Sequence, residues 1–205
     1  LLYNEKNKLI NSLNDSPDLQ KQYKDELNEL INTENSINKM DKDQLVKFLY
    51  SRGDYQQYDG LKQEALEKLA GLEPQFDRRI FMKIGEAVFD INGITFKDDG
   101  VEATAPEIRE GRTFVPLRFI VENMDGEVQW DGQLKKITIK AKENTIVLKI
   151  GEKTIWENGV PKSIDAAPVI VNGRTIVPVR FIAESLGMKV DWLESDQIIL
   201  ISGKQ

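Results

Sequence analysis

A stretch of about 20 residues occurs twice in this chain, and that recurrence constrains what it can fold into more than any other feature. Residues 111–130 read GRTFVPLRFIVENMDGEVQW and residues 173–192 read GRTIVPVRFIAESLGMKVDW. Eleven of the twenty positions are identical at an offset of 62. Upstream, Ala105-Pro106 falls on Ala167-Pro168 and Ile108 on Ile170. Further back the offset becomes 66, where Lys83-Ile84-Gly85-Glu86 meets Lys149-Ile150-Gly151-Glu152 and Asn92-Gly93 meets Asn158-Gly159. Downstream, Ile137-Thr138-Ile139 meets Ile198-Ile199-Leu200 at an offset of 61. Length changes confined to turns are what a duplicated fold tolerates. What recurs is turn, strand and packing chemistry, so the unit reads as a structural frame of about 60 residues rather than a catalytic cassette.

Each copy predicts the same run of elements. Residues 87–91 and 94–96 flank Asn92-Gly93, and residues 154–156 precede Asn158-Gly159. Asn-Gly between apolar runs is the strongest local hairpin signal, because a type I′ turn needs positive φ at both central residues. Residues 127–130, then Asp131-Gly132, then 137–139 read as a further hairpin, and 145–150 as the strand opening the second copy. Pro116 and Pro178 suit the first position of a short helix, where a missing N–H costs nothing. After them Leu117, Ile120, Val121 and Met124, and then Val179, Ile182, Ala183 and Leu186, form a stripe that must lie on the sheet. Gly187 and Asp125-Gly126 end the two helices. A single unit of this size is marginal alone, so two copies, about 81–142 and 145–203, are expected to pack into one body spanning 81–205.

Residues 1–75 have a different texture. Leu19, Tyr23, Leu27, Leu30, Ile31 and Ile37 follow a helical spacing. Asp41 and Gln44 form a capping box ahead of Leu45, Val46, Phe48 and Leu49, with Gly53 as the stop. Tyr58, Leu61, Ala65, Leu66 and Leu69 make a last stripe, ended by Gly71 and Pro74. The expected class is therefore α+β: a helical region, then a duplicated antiparallel β-unit with one short helix per copy.

Composition narrows the chemistry. The net charge of −6 is even, with residues 1–80 and 81–205 each carrying −3. No basic face is available for a phosphate backbone, which argues against nucleic acid. No run of eighteen apolar residues exists to span a membrane. The chain has no His and no Cys, so the usual general base, thiol nucleophile, disulfide and soft-metal ligands are missing. It opens at Leu1 without an initiator methionine, as a chain with its leader removed would.

The pattern GRTxVPxRFIxE followed by V.W, twice, each after an IGE and NG hairpin, resembles the copper amine oxidase N-terminal-like family, also called the stalk domain, over about residues 81–202. That resemblance implies a non-catalytic antiparallel sheet wrapped against a helix. It also implies an exported or envelope protein of a Gram-positive bacterium, with a cell-wall glycan or another envelope protein as partner and no cofactor. Residues 1–75 resemble no family in this way.

Arg118 and Arg180 each precede a glutamate by four positions (Glu122, Glu184), which offers a helical ion pair before it offers a ligand contact. Trp130 and Trp192 close the two copies and read as core. Trp156 has no counterpart, since Asp90 aligns with it, and is the better aromatic for an exposed contact. Asp98-Asp99 and Glu107 with Glu110 lie in hydrophilic turns, with no apolar flank to tune them as acid and base. Asp15, Asp18, Asp54 and Asp59 do not follow a calcium-loop spacing. No catalytic, cofactor or metal residue is expected. The leading expectation is an envelope structural or interaction protein; the alternatives are a cell-wall or carbohydrate-binding accessory module of a secreted enzyme, and a carboxylate hydrolase.

Overall fold

The computed structural model describes residues 17–51, 59–97 and 104–204, and within them the chain is mixed α+β with antiparallel sheets. Its contacts divide it into two units, the first ending at Leu69 and the second running Ala70–Gln205.

Among the described residues, the first part holds three helices: α1 (Pro17–Ile37), α2 (Lys42–Ser51) and α3 (Asp59–Leu72). The side chains of Leu19, Tyr23, Leu27 and Leu30, and residues Gly53 and Tyr58, lie outside the described residues. The capping box forms as expected. Gln44 donates its N–H to Asp41 Oδ1 at 2.9 Å, and Asp41 donates its N–H to Gln44 Oε1 at 3.0 Å. Ile37, Leu45, Val46, Leu49, Ala65 and Leu69 are buried. Lys68 Nζ reaches the carbonyls of Ile37 and Met40, both at 2.7 Å, and so satisfies the open C-terminus of α1 with a cation, the sign its dipole favours.

Fourteen strands and two short helices follow among the described residues. In chain order they are β1 (Arg78–Lys83), β2 (Glu86–Ile91), β3 (Ile94–Lys97), β4 (Glu107–Arg109), β5 (Arg112–Pro116), α4 (Leu117–Glu122), β6 (Glu127–Asp131) and β7 (Lys136–Ala141). Then come β8 (Asn144–Lys149), β9 (Thr154–Glu157), β10 (Val160–Ser163), β11 (Val169–Val171), β12 (Arg174–Pro178), α5 (Val179–Ser185), β13 (Lys189–Leu193) and β14 (Ile198–Gly203). They form sheets ordered β13-β14-β1-β2-β3, β10-β9-β8-β7-β6 and β11-β12-β5-β4.

The hairpins read from Asn-Gly are present, with φ 49° and 89° at Asn92 and Gly93, and 52° and 81° at Asn158 and Gly159. The long-range pairings are not local matters. β14, all six of whose residues are buried, lies between β13 and β1, with Phe81 opposite Leu200 and Met82 opposite Ile199. β8 lies between β7 and β9, with Ile137 opposite Leu148. In the third sheet β5 pairs with β12, placing Val115 against Val177, and both are fully buried.

The helical stripes face inward as expected. Leu117, Ile120, Val121, Val179, Ile182 and Ala183 all join the buried core, which also holds Ile80, Met82, Ile139 and Ile146. Two details differ from expectation. Pro116 and Pro178 are not the first helical residues: each ends a strand and caps its helix, with ψ 113° and 124°. Extended ψ is what lets the chain turn from sheet into helix at a residue with no N–H to place. The first helix is also terminated by Asp125, at φ 57°, rather than by Gly126.

Candidate functional site

A cleft of about 760 Å³ lies in the β-unit. The β2–β3 hairpin sets Phe89 directly across from Phe96. From α4 the Phe119 ring meets both, at 4.3 Å from Phe89 in a tilted stack and 6.5 Å from Phe96 edge-on. Phe89 is buried, so the Phe89–Phe119 pair forms a floor, whereas Phe96 stands up as a wall with 44% of its surface exposed. Trp130 on β6, 45% exposed, and Ile170 on β11 line the same cleft. Gly132 leaves room for the indole: a Cβ there would sit 3.3 Å from Trp130 Nε1.

Charge enters the cleft from one helix and one hairpin. Arg118 donates to Glu122 at 2.9 Å, with both side chains about half exposed (56% and 49%). This is the i,i+4 pair anticipated on α4. Arg174, on β12, lines the same cleft and is engaged within the protein.

A smaller cleft, about 310 Å³, lies around α5 and contains Arg180. At the offset of 66, Ile155 and Lys162 stand where Phe89 and Phe96 stand in the other cleft. Lys162 pairs with Glu157, and Arg112 pairs with Asp165 at 2.6 Å. The hydrogen bond from Arg112, helped by a backbone hydrogen bond and the charges of Arg112 and Arg180, holds the Asp165 carboxyl below the usual aspartate range.

The three sequence-predicted contact residues are therefore not brought together. Arg118 lines the larger cleft and Arg180 the smaller. Trp156 lies half-buried on β9 opposite Val147 and Pro161 and lines neither. The expectation that Trp130 and Trp192 are core is overturned, as they are 45% and 40% exposed. Both sit on strands that end a sheet order, β6 and β13, where one flank of the ring has no neighbouring strand to cover it. Phe96 and Ile170 carried no signal in the sequence beyond their place in strands.

Among the acidic candidates, Glu107 pairs with Arg109 at 2.8 Å on an exposed strand. Asp98, Asp99, Asp15 and Asp54 lie outside the described residues. A different polar cluster is part-buried. Arg79, 4% exposed, donates to the Glu73 carbonyl at 3.0 Å, and Lys189 pairs with Glu73 and, at 3.3 Å, with Asp191. Burial lowers the Arg79 pKa, while the charges of Glu73 and Asp77 oppose that shift. These residues tie the start of β1 to β13.

The copper amine oxidase N-terminal domain family matches residues 91–201, more than half of the chain. The protein belongs to that family. A "Protease inhibitor" of Brevibacillus choshinensis is 31% identical over 77 residues, a segment covering 38% of this chain and 24% of that relative. The chain thus matches about a quarter of that protein's length. The family is named for a copper enzyme, yet the donors here do not fit copper. The sequence has no imidazole or thiol, and among the described residues no three Asp or Glu converge on a metal position. Nor is any helix among the described residues long and apolar enough to cross a membrane.

Proposed function

We propose that this chain is a non-catalytic structural or interaction protein, exported to the cell envelope of a Gram-positive bacterium. Its stalk-type domain, about residues 81–205, is read as two copies of one α+β unit that exchange hairpins. The observation that carries this reading is the kind of residue that recurs. Val115 and Val177 meet across β5 and β12, and Ile120 and Ile182 fill the core. Gly111 and Gly173 take φ 70° and 71° at the turns before those strands. Cleft-lining positions instead change from Phe89 and Phe96 to Ile155 and Lys162. Duplication that preserves frame and varies surface suits a body that spaces or binds.

The hydrogen bonds support the same reading. Gly85 donates to the Pro106 carbonyl and Gly151 to that of Pro168, both at 2.8 Å. Ile84 donates to Gln197 at 3.1 Å and Ile150 to Lys135 at 3.0 Å, each from one copy to the other.

The Brevibacillus choshinensis relative is named for inhibition, a task performed by occupying a partner, which accords with a protein that binds. The test is twofold: fractionation of the producing cells, expected to place the protein in the wall or medium, and activity screens of the purified chain on glycans and peptides, expected to be silent. Cytoplasmic retention, or turnover that survives repurification, overturns the proposal. The second reading, a wall-binding accessory module, is favoured by one observation, the exposed aromatic rings lining the larger cleft.

A further inference from the structure

We infer that a water molecule is bound inside the β-unit between Arg79, Ser202 and Glu73, where it bridges the segment leading into β1 to the sheet. The row beneath that segment is fixed by register. Ser202 on β14 lies directly opposite Arg79 on β1 and directly opposite Lys189 on β13. Directly opposed residues project from the same face of a sheet. Lys189, Ser202 and Arg79 therefore stand side by side, with Ser202 in the middle.

Glu73 spans this row. Its carbonyl accepts from Arg79 Nη2 at 3.0 Å, and its carboxylate pairs with Lys189. The segment after it is held close: Phe76 donates to the Glu73 carbonyl and Asp77 to the Gly203 carbonyl, both at 3.2 Å. Glu73 thus lies across Ser202, which is completely buried, and Arg79 is only 4% exposed. Yet Arg79 Nε and Ser202 Oγ have no hydrogen-bond partner among the described residues. A buried N–H beside a buried hydroxyl, under a carboxylate, offers a donor, a group that does both, and an acceptor. One water joins all three, accepting from Nε–H and donating to the two oxygens.

The duplication shows why solvent belongs there. At offsets of 62, 62 and 66, Lys189, Ser202 and Arg79 correspond to Glu127, Lys140 and Thr145. Those three also form one row, across β6, β7 and β8, and all are exposed. This face of the frame is therefore polar in both copies and open to solvent in one. Ahead of β1 the chain folds back over it, and the covered row keeps its polar side chains.

The surrounding charges choose the occupant. Arg79 and Lys189 are matched by Glu73, by Asp191 at 3.3 Å from Lys189, and by Asp77, whose charge acts on Arg79. No surplus positive charge remains to hold an anion, and the guanidinium and ammonium repel a cation. A small neutral molecule that both donates and accepts fits.

Two measurements on the full chain test this. One is a high-resolution crystal structure, with and without a bromide soak. The other is magnetic relaxation dispersion of the solvent, which counts water molecules held longer than nanoseconds. We expect ordered water within hydrogen-bond reach of both Arg79 Nε and Ser202 Oγ, and no bromide there. Ser202→Val, whose methyl groups replace the hydroxyl and fill the space beside it, should lose about one long-lived water. Ser195→Ala, at an exposed serine bonded to Asp196, should lose none. Circular dichroism checks the fold of each variant, and the crystal structure of the unaltered chain decides the matter if Ser202→Val does not fold. A direct hydrogen bond from Ser202 to Arg79 or Glu73 with nothing between them overturns the inference. So does bromide at that position, or a water count that a folded Ser202→Val leaves unchanged.

Discussion

At the turn after β2, Asn92 donates its N–H to the Arg79 carbonyl at 3.0 Å and accepts the Arg79 N–H on Oδ1 at 2.8 Å. Asn158 does the same to Thr145, at 2.8 Å in both directions. Asparagine is chosen there for two reasons at once: it tolerates positive φ, and its short amide mimics a backbone group. The partner residues differ in one respect. Asp90, 4% exposed, accepts the Gly93 N–H at 2.7 Å, a role that Trp156 at the matching position cannot fill. Asp90→Ala leaves that N–H without its carboxylate, and is expected to cost about 1–3 kcal/mol in urea unfolding. A loss under a few tenths would mean that water replaces the carboxylate. The Arg112–Asp165 pair belongs to a weaker class, with side chains 49% and 50% exposed. The folded Asp165 pKa lies below its unfolded value. Its contribution is therefore present above about pH 4 and disappears as pH falls through the depressed value. Asp165→Asn should cost less than about 1 kcal/mol at pH 7, and the difference from wild type should vanish in strong acid or high salt. A penalty that persists at low pH would point to packing instead.

The two short helices show how an element compensates for a change in bulk. Gly126 donates to Val121 O at 2.9 Å, and Met188, at the offset of 62, donates to Ala183 O at 2.7 Å. Glycine faces valine in one copy; methionine faces alanine in the other. A Cβ on Gly126 would meet Val121 Cγ1 at 2.6 Å and the Lys140 carbonyl at 3.1 Å. Val121 is fully buried and β-branched, so it cannot swing away. Gly126→Ala is accordingly expected to destabilise by about 1–3 kcal/mol. Val121→Ala alone creates a cavity, whereas the double substitution should recover part of the sum, giving a coupling of about 0.5 kcal/mol or more in a thermal or urea double-mutant cycle. Strict additivity would show that the backbone contact, not the valine, sets the constraint.

At this scale the sequence spoke clearly wherever the determinant was local. Asn92-Gly93 and Asn158-Gly159 announced their hairpins, and the Ile120 and Ile182 stripes their buried faces. Trp130 and Trp192 depart from the core that their residue type predicts, because exposure depends on whether a strand has a neighbour on both sides, and that neighbour is distant in sequence. The cleft was hidden for the same reason: it needs β2, β3, α4, β6 and β11 together.

For the β-unit as a whole, the decisive fact is which strands share a sheet. β1–β3 are completed by β13 and β14, and β8–β10 by β6 and β7. Neither five-stranded sheet is contributed by one contiguous half of the unit. The junction between the halves is the tight turn from β7 to β8, with Lys142 at φ 53°. Division there separates Ile137 from Leu148 and Ile139 from Ile146, all buried, and equally strips β14 from β1. Each fragment then exposes an apolar strand edge of the kind that seeks another strand, and is too small to bury enough surface alone. Fragments 70–143 and 144–205, expressed separately, should therefore show no cooperative unfolding as monomers. Mixed or co-expressed, they should restore it and elute together. Fragment 144–205 contains β8–β14 and α5, so any folded form it takes alone should be a dimer in which a second copy supplies the missing hairpin. Size-exclusion chromatography with light scattering, read beside the melting curve, decides the matter. A monomeric fragment with a sharp transition would show that each half closes its own sheet when released, and that the hairpin exchange is a choice of the intact chain rather than a requirement of its core.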